Sequence, residues 1–189
     1  MKKILLLVLV FNVACSTSTN QLVQVEGSQI PQGAAVQNYE MIDGLVKATV
    51  KDNNRITGEG DFLNGKHHGT WTVYDSKGNV TRITTYMNGL KQGTELVFDS
   101  QGYVASKGYY HNDLLEGEFL IYKRKNIVEK KTYSGGATNG LQQKFYQNGI
   151  VMEESNHVDG KMDGVARWYD QEGNLTIEYT YNNGELIKD

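Results

Sequence analysis

Cysteine and proline are almost missing from this sequence, with one of each in 189 residues. A lone cysteine, Cys15, excludes an intramolecular disulfide and a thiolate metal cluster. A lone proline, Pro31, beside 21 glycines is not a disordered composition; it points to many tight turns between strands. An excess of positive charge is missing too. Lys+Arg is 19 against Asp+Glu 22, a net charge of −3, and that sign argues against a nucleic-acid binder. The mean hydropathy of −0.51 leaves little apolar material for a thick core. The length suits one domain and a tail. Signatures of chemistry are absent as well: there is no G-x-S-x-G, P-loop or H-E-x-x-H, and no carboxylate pair is set apart for acid–base work. His67-His68 is the best metal candidate. Neighbours on a strand point to opposite faces, however, and no cysteine completes a set, so both are expected to be exposed turn residues. His111 and His157 read as structural. No enzyme, metal or cofactor is expected.

What is present begins with a targeting segment. Residues 1–15, MKKILLLVLVFNVAC, place two lysines before an apolar run from Ile4 to Phe11, the layout of a secretory signal helix. The run is well short of the roughly 20 residues that span a bilayer. Val13-Ala14-Cys15 resembles the end of a bacterial lipoprotein signal, in which cleavage precedes the cysteine and the thiol takes lipid; Asn12 departs from that pattern. The alternative is an ordinary signal peptide cut elsewhere. The resemblance implies a bacterial cell-envelope location, lipid-anchored at Cys15, and Ser16 after the cysteine implies the outer membrane. Residues 16–38 are rich in Ser, Thr, Gln and Asn and lack apolar periodicity, so they are expected to form a flexible tether.

From residue 56 the chain repeats itself. A first turn glycine falls at Gly65, Gly89, Gly136, Gly160 and Gly184, with Asp113 in the third unit. A second falls at Gly69, Gly93, Gly117, Gly140 and Gly164. A third falls at Gly78, Gly102, Gly149 and Gly173, with Asn126 in the third unit. Glycine adopts positive φ without steric cost, and Asp and Asn are the next most tolerant types. Two aromatic ladders share the period: Tyr74, Phe98, Tyr122, Phe145 and Tyr169, and Phe62, Tyr86, Tyr110, Tyr133 and Tyr181 with His157. Each unit therefore reads as strand, turn, strand, turn, and both ladders are expected to pack along one face. The third unit is one residue short. Deletion within a strand would turn every later side chain over, so the loss is assigned to a two-residue turn at Lys125-Asn126.

The aromatic–glycine unit with its N-G-x-x-x-G turn resembles the bacterial variant of the MORN repeat over residues 56–189. The resemblance implies an all-β fold, an elongated single-layer antiparallel meander of β-hairpins. Residues 39–189 are taken as this domain, with Leu45–Val50 as a strand of a decayed unit and Asp52-Asn53-Asn54 as its turn. Proteins of this type are often catalogued with antitoxins, so an antitoxin- or immunity-like role against a toxin partner is the alternative reading. Related eukaryotic repeats are associated with membrane surfaces.

Apolar residues also occupy the alternate parity of the second strands: Trp71, Val73, Val97, Phe119, Ile121 and Trp168. They are expected on the face opposite the ladders, where a single sheet cannot bury them without a cover. They are the candidate partner-binding strip. The leading expectation is a non-enzymatic, lipid-anchored binding module that touches the membrane through its lipid and offers an extended sheet to a protein or glycan, not to nucleic acid.

Overall fold

The computed structural model of the protein describes residues 27–187. The signal segment, Cys15 and residues 16–26 of the expected tether lie outside the described residues. Within them the chain is all strand and turn. The strands are β1 (Ala35–Asn38), β2 (Leu45–Asp52), β3 (Arg55–Leu63), β4 (Lys66–Tyr74), β5 (Val80–Met87), β6 (Leu90–Phe98), β7 (Val104–His111) and β8 (Leu114–Leu115). There follow β9 (Gly117–Lys123), β10 (Asn126–Ser134), β11 (Ala137–Thr138), β12 (Gly140–Phe145), β13 (Val151–Val158), β14 (Lys161–Tyr169), β15 (Leu175–Asn182) and β16 (Glu185–Leu186). All 16 belong to one open antiparallel sheet in which sequence neighbours are spatial neighbours. Both β8 and β9 pair with β7, and β11 and β12 with β10, so each couple is one strand interrupted by a residue. The expected single-layer meander is the fold, and Leu45–Val50 is indeed a strand closed by an Asn53-Asn54 turn.

Local chemistry sets the two kinds of turn. Asn64-Gly65, Asn88-Gly89 and Asn183-Gly184 have positive φ at both residues, the two-residue hairpin geometry whose twist matches that of the strands. Asp113 takes the glycine's place at φ 68°. At the opposite edge Asp75 opens a three-residue connection: the Gly78 amide donates to its carbonyl, and its carboxylate accepts from the Lys77 and Asn79 amides. The third unit differs as expected by one turn residue, but the turn is Arg124-Lys125, closed by the pair Lys123 and Asn126. Asn126 lies in β10, and Arg124 takes the left-handed conformation at φ 59°.

Residues 28–38 are not tether. The Gln29 amide donates to the Gly65 carbonyl, β1 pairs with β2, and Ala34 and Ile30 pack on Ala48 and Phe62. The segment contributes too few inward residues to show a period. The ladders also lie on opposite faces. Across the two-residue turn Phe62 pairs with His67, which puts Phe62 on the face of Trp71; Tyr74, an odd number of residues from Trp71, faces the other way and donates to Glu59 at 2.7 Å.

The second glycine of each unit lies where the ladder register shifts, opposite the aromatic of the next strand: Gly69 pairs with Tyr86, Gly93 with Tyr110 and Gly140 with His157. Gly93 has φ 103° and Gly140 φ 99°. A Cβ at Gly93 would meet Thr85 Oγ1 at 2.6 Å, whereas at Gly140 the nearest atom would be 3.6 Å away. Alanine at either position should cost about 1–3 kcal/mol for the forced backbone, with Gly93→Ala the larger loss. Urea unfolding of the two variants measures both; equal stability to the parent would contradict the role of the bulge.

Candidate functional site

The candidate surface is the face that carries Trp71. Its middle row crosses the sheet through Ala48, Gly60, Trp71, Thr84, Glu95, Gly108, Phe119, Lys131, Gln142, Ser155, Ala166 and Tyr179, all directly paired except that Gly108–Phe119 and Lys131–Gln142 continue the register of the pairs beside them. Each ring of the row stands beside a glycine or alanine: Trp71 by Gly60, Phe119 by Gly108 and Tyr179 by Ala166. A Cβ on Gly58 or Gly60 would fall 2.8 Å from the Trp71 ring, and one on Gly108 2.7 Å from Phe119. The middle row is therefore covered by its own neighbours, and Ala48, Thr84, Ser155 and Ala166 are buried although the sheet has one layer.

The ladder row flanks it. His67 is stacked on Tyr86 at 4.6 Å, tilted against Phe62 at 4.3 Å and edge-on to Trp71 at 5.1 Å. It was expected as an exposed turn residue; instead it is a rung, because the two-residue turn aims it inward beside Phe62. Burial holds the imidazole below its usual pKa, and Nδ1 has no partner. His157 occupies the same row and is likewise lowered by burial. Among the described residues no group of His, Cys, Asp and Glu is placed to hold a metal ion.

The centre of the face is polar. Glu95 accepts from Thr84 Oγ1 at 2.9 Å, Lys91 Nζ at 2.8 Å and Tyr110 OH at 3.3 Å. Burial pushes this carboxyl up, but the Lys91 and Thr84 hydrogen bonds and the Lys91 charge outweigh it and hold it below the ordinary range. Lys91 also lies over the Tyr110 ring at 4.5 Å.

All six residues of the expected strip do share this face, but they do not form a continuous exposed band. Trp71 and Phe119 are in the middle row; Val73, Val97, Ile121 and Trp168 are in the outer row. All are half-buried. Arg82 stands between Val73 and Val97, and Ser106 between Val97 and Ile121. Glu129, Lys144 and Glu153 separate Ile121 from Trp168, with a Lys144–Glu153 ion pair at 3.0 Å. The exposed apolar patch lies further on. Ile177 holds the row position of Arg82, Ser106, Glu129 and Glu153, yet is 45% exposed; Tyr179 holds that of Thr84, Gly108, Lys131 and Ser155, yet is 48% exposed. Tyr179 meets Trp168 edge-on at 6.0 Å, and Leu186 is exposed beside Tyr181. Sequence reasoning named Trp168 but passed over Ile177, Tyr179 and Leu186. For Ile177 and Tyr179 the available signal was an apolar side chain at a row position that is polar or small in every earlier unit.

Segments 68–88, 138–159 and 162–183 match the family model of the MORN repeat variant. Each runs from a second strand through the next strand to the following two-residue turn, and the structure repeats that unit over β6–β7 and β9–β10. These three segments are MORN-variant repeats, and the strand–turn–strand unit they share recurs along the sheet. No curated protein matches the sequence. A chain of the glycosylation associate protein (Gap123) complex of Streptococcus agalactiae is similar at 13% identity over 82% of this chain, with a TM-score of 0.26. This chain spans 23% of that one, and the superposition carries no functional argument.

The two depressed histidines fix a pH dependence. In the unfolded chain they take up protons near pH 6.5, whereas the folded imidazoles resist protonation. Stability is therefore full above about pH 6.5 and falls as pH drops toward the folded values. Replacing both rungs, His67→Phe with His157→Tyr, should flatten the unfolding midpoint between pH 7.5 and 5; an unaltered slope would mean the stacked rings bind protons freely.

Proposed function

We propose that this protein is a non-enzymatic binding module, held at a bacterial outer membrane by lipid on Cys15, that presents its extended sheet to a protein or glycan of the cell envelope. The observation that carries the binding reading is the apolar group Trp168, Ile177, Tyr179 and Leu186, in which exposed Ile177 and Tyr179 hold positions where the repeat otherwise places polar or small side chains. Exposed clusters of this kind serve as contact surfaces. A sheet one layer thick has no interior to enclose a small substrate, so recognition is by surface matching along the repeats. Anchoring rests on the sequence of residues 1–15, where the lone cysteine follows an apolar run and Ala14.

Cys15→Ser tests the anchor. The variant should leave the membrane fraction or accumulate as a longer precursor, and wild-type fractionation with wild-type migration would rule lipidation out. The contact surface is tested by affinity capture from solubilised envelope with mass spectrometry. Ile177→Ser with Tyr179→Ser should lose a partner that Tyr109→Ser, an exposed change on the other face, retains. Equal recovery by both variants would remove this patch from the reading, and a single polypeptide toxin as the captured species would replace it with the antitoxin- or immunity-like role.

A further inference from the structure

The third unit breaks the repeat at one edge of the sheet. There the turns of the first, second and fifth units open with Asp75, Asp99 and Asp170, each of which caps its own loop through its carboxylate, and that of the fourth opens with Tyr146. In the third unit the corresponding stretch is Lys123-Arg124-Lys125-Asn126, and the turn is shorter. The shortened turn recedes between its longer neighbours and leaves a cavity on either side of itself. One, of about 510 Å³, is lined by Lys123, Arg124, Lys125, Asn126, Gln147 and Tyr103 of the preceding turn. The other, of about 410 Å³, shares Lys125, Asn126 and Gln147 and reaches Phe145. The Asn126 side chain donates to the Gln147 carbonyl at 3.2 Å and ties the floor of the notch across two turns.

Three adjacent cations in a protein of net charge −3 are conspicuous for what they do not do. Six cations of the sheet form ion pairs, Lys47 with Glu59 and Arg167 with Glu178 among them, while Lys123, Arg124 and Lys125, like Arg82 and Lys107, form none among the described residues. Asp99, the acid of the preceding turn, accepts from the Gln101 and Tyr103 amides. The cations are therefore available to a ligand.

We infer that this notch binds an acidic saccharide, a sugar chain carrying carboxylates. The chemistry of the walls selects it. Lys and Arg donors match carboxylate oxygens, the Arg fork bidentately. Carboxamides on Asn126 and Gln147 suit sugar hydroxyls. Tyr103, 38% exposed on one side, offers an apolar ring to the face of a pyranose, and Phe145 lines the other side, so a chain can cross the notch between two rings. A simple anion site would need the cations and not the rings. This inference deepens the binding-module reading by naming a ligand class, but it uses different residues from the apolar patch.

The test uses the full chain in mild detergent, with a trimer of galacturonic acid as the probe, followed by amide chemical shifts and by calorimetry. Shifts should concentrate at residues 103, 123–126 and 147. Lys123→Gln/Arg124→Gln/Lys125→Gln should weaken binding at least tenfold, and Tyr103→Ala should weaken it several-fold. Lys51→Gln/Lys66→Gln/Lys161→Gln, an equal change in charge at exposed lysines elsewhere, should leave it within about twofold, the margin for screened long-range charge. Equal loss in both triple variants, no binding, or binding of pyrophosphate or of anionic phosphatidylglycerol vesicles as tight as that of the trimer would overturn the inference. Any of those results leaves the apolar-patch capture experiment standing, because that patch is not altered.

Discussion

A sheet one layer thick has no second layer to cover it, so each side chain must be buried by its neighbours in the same sheet. Here that constraint is met by size alternation between paired strands. Trp71 lies on Gly58 and Gly60, Phe119 on Gly108, and the buried Ala166 is paired with Tyr179. Dispersion contact and the removal of apolar area from water are obtained without a conventional core. The fully buried apolar residues among those described are only Ala34, Ala48, Phe62 and Ala166. The rest of the architecture follows from the same constraint. Bulges at the second glycines keep inward residues in register, and the central row uses hydrogen-bonded polar side chains where no ring is available, as at Thr84 and Glu95.

The two ends of the sheet are treated differently. At the first end the chain folds back, with Ile30 and Ala34 seated on Phe62 and Ala48 and with Gln29 reaching the turn glycines Gly65 and Gly89. At the other, β15 is exposed along nearly its whole length and carries the apolar group around Tyr179. A strand covered on its outer side only by the two-residue β16, and more apolar on the Trp71 face than the strands it resembles, runs against the usual protection of edges by charge, and this is the physical ground for reading it as a contact surface. The receding turn at Arg124-Lys125 is a second departure from the repeat, of opposite chemistry and on a lateral edge. In a repeat protein the regular positions build the sheet, and the irregular ones are free to carry recognition.

Much of the fold was legible because its period is covalent. Glycine spacing, Asn-Gly pairs and one aromatic per strand require strand–turn–strand units, and the strand at Leu45–Val50 followed from the same pattern. The ladder faces were legible in principle: a two-residue turn at Asn64-Gly65 forces Phe62 to face His67, and parity then carries Trp71 to the same side. The place of Asn126 was not, because a one-residue deletion can be absorbed at either residue of a turn and only the pairing of Lys123 with Asn126 decides.

The sequence by itself determined the all-β repeat, the hairpin turns and the absence of disulfide staples, because these depend on local backbone preference and on residue identity. Only the tertiary structure decided which side chains end up in contact with water. Val73, Val97 and Ile121 look like a strip when the second strands are read alone. Arg82 and Ser106 enter between them from the intervening strands and Glu129 follows Ile121, and that interleaving is a property of pairing. Likewise His67, polar by type and next to a turn, becomes an aromatic rung because the strands bring Phe62, Trp71 and Tyr86 around it. Residues distant in sequence set the environment of each position, and no period within one strand records them.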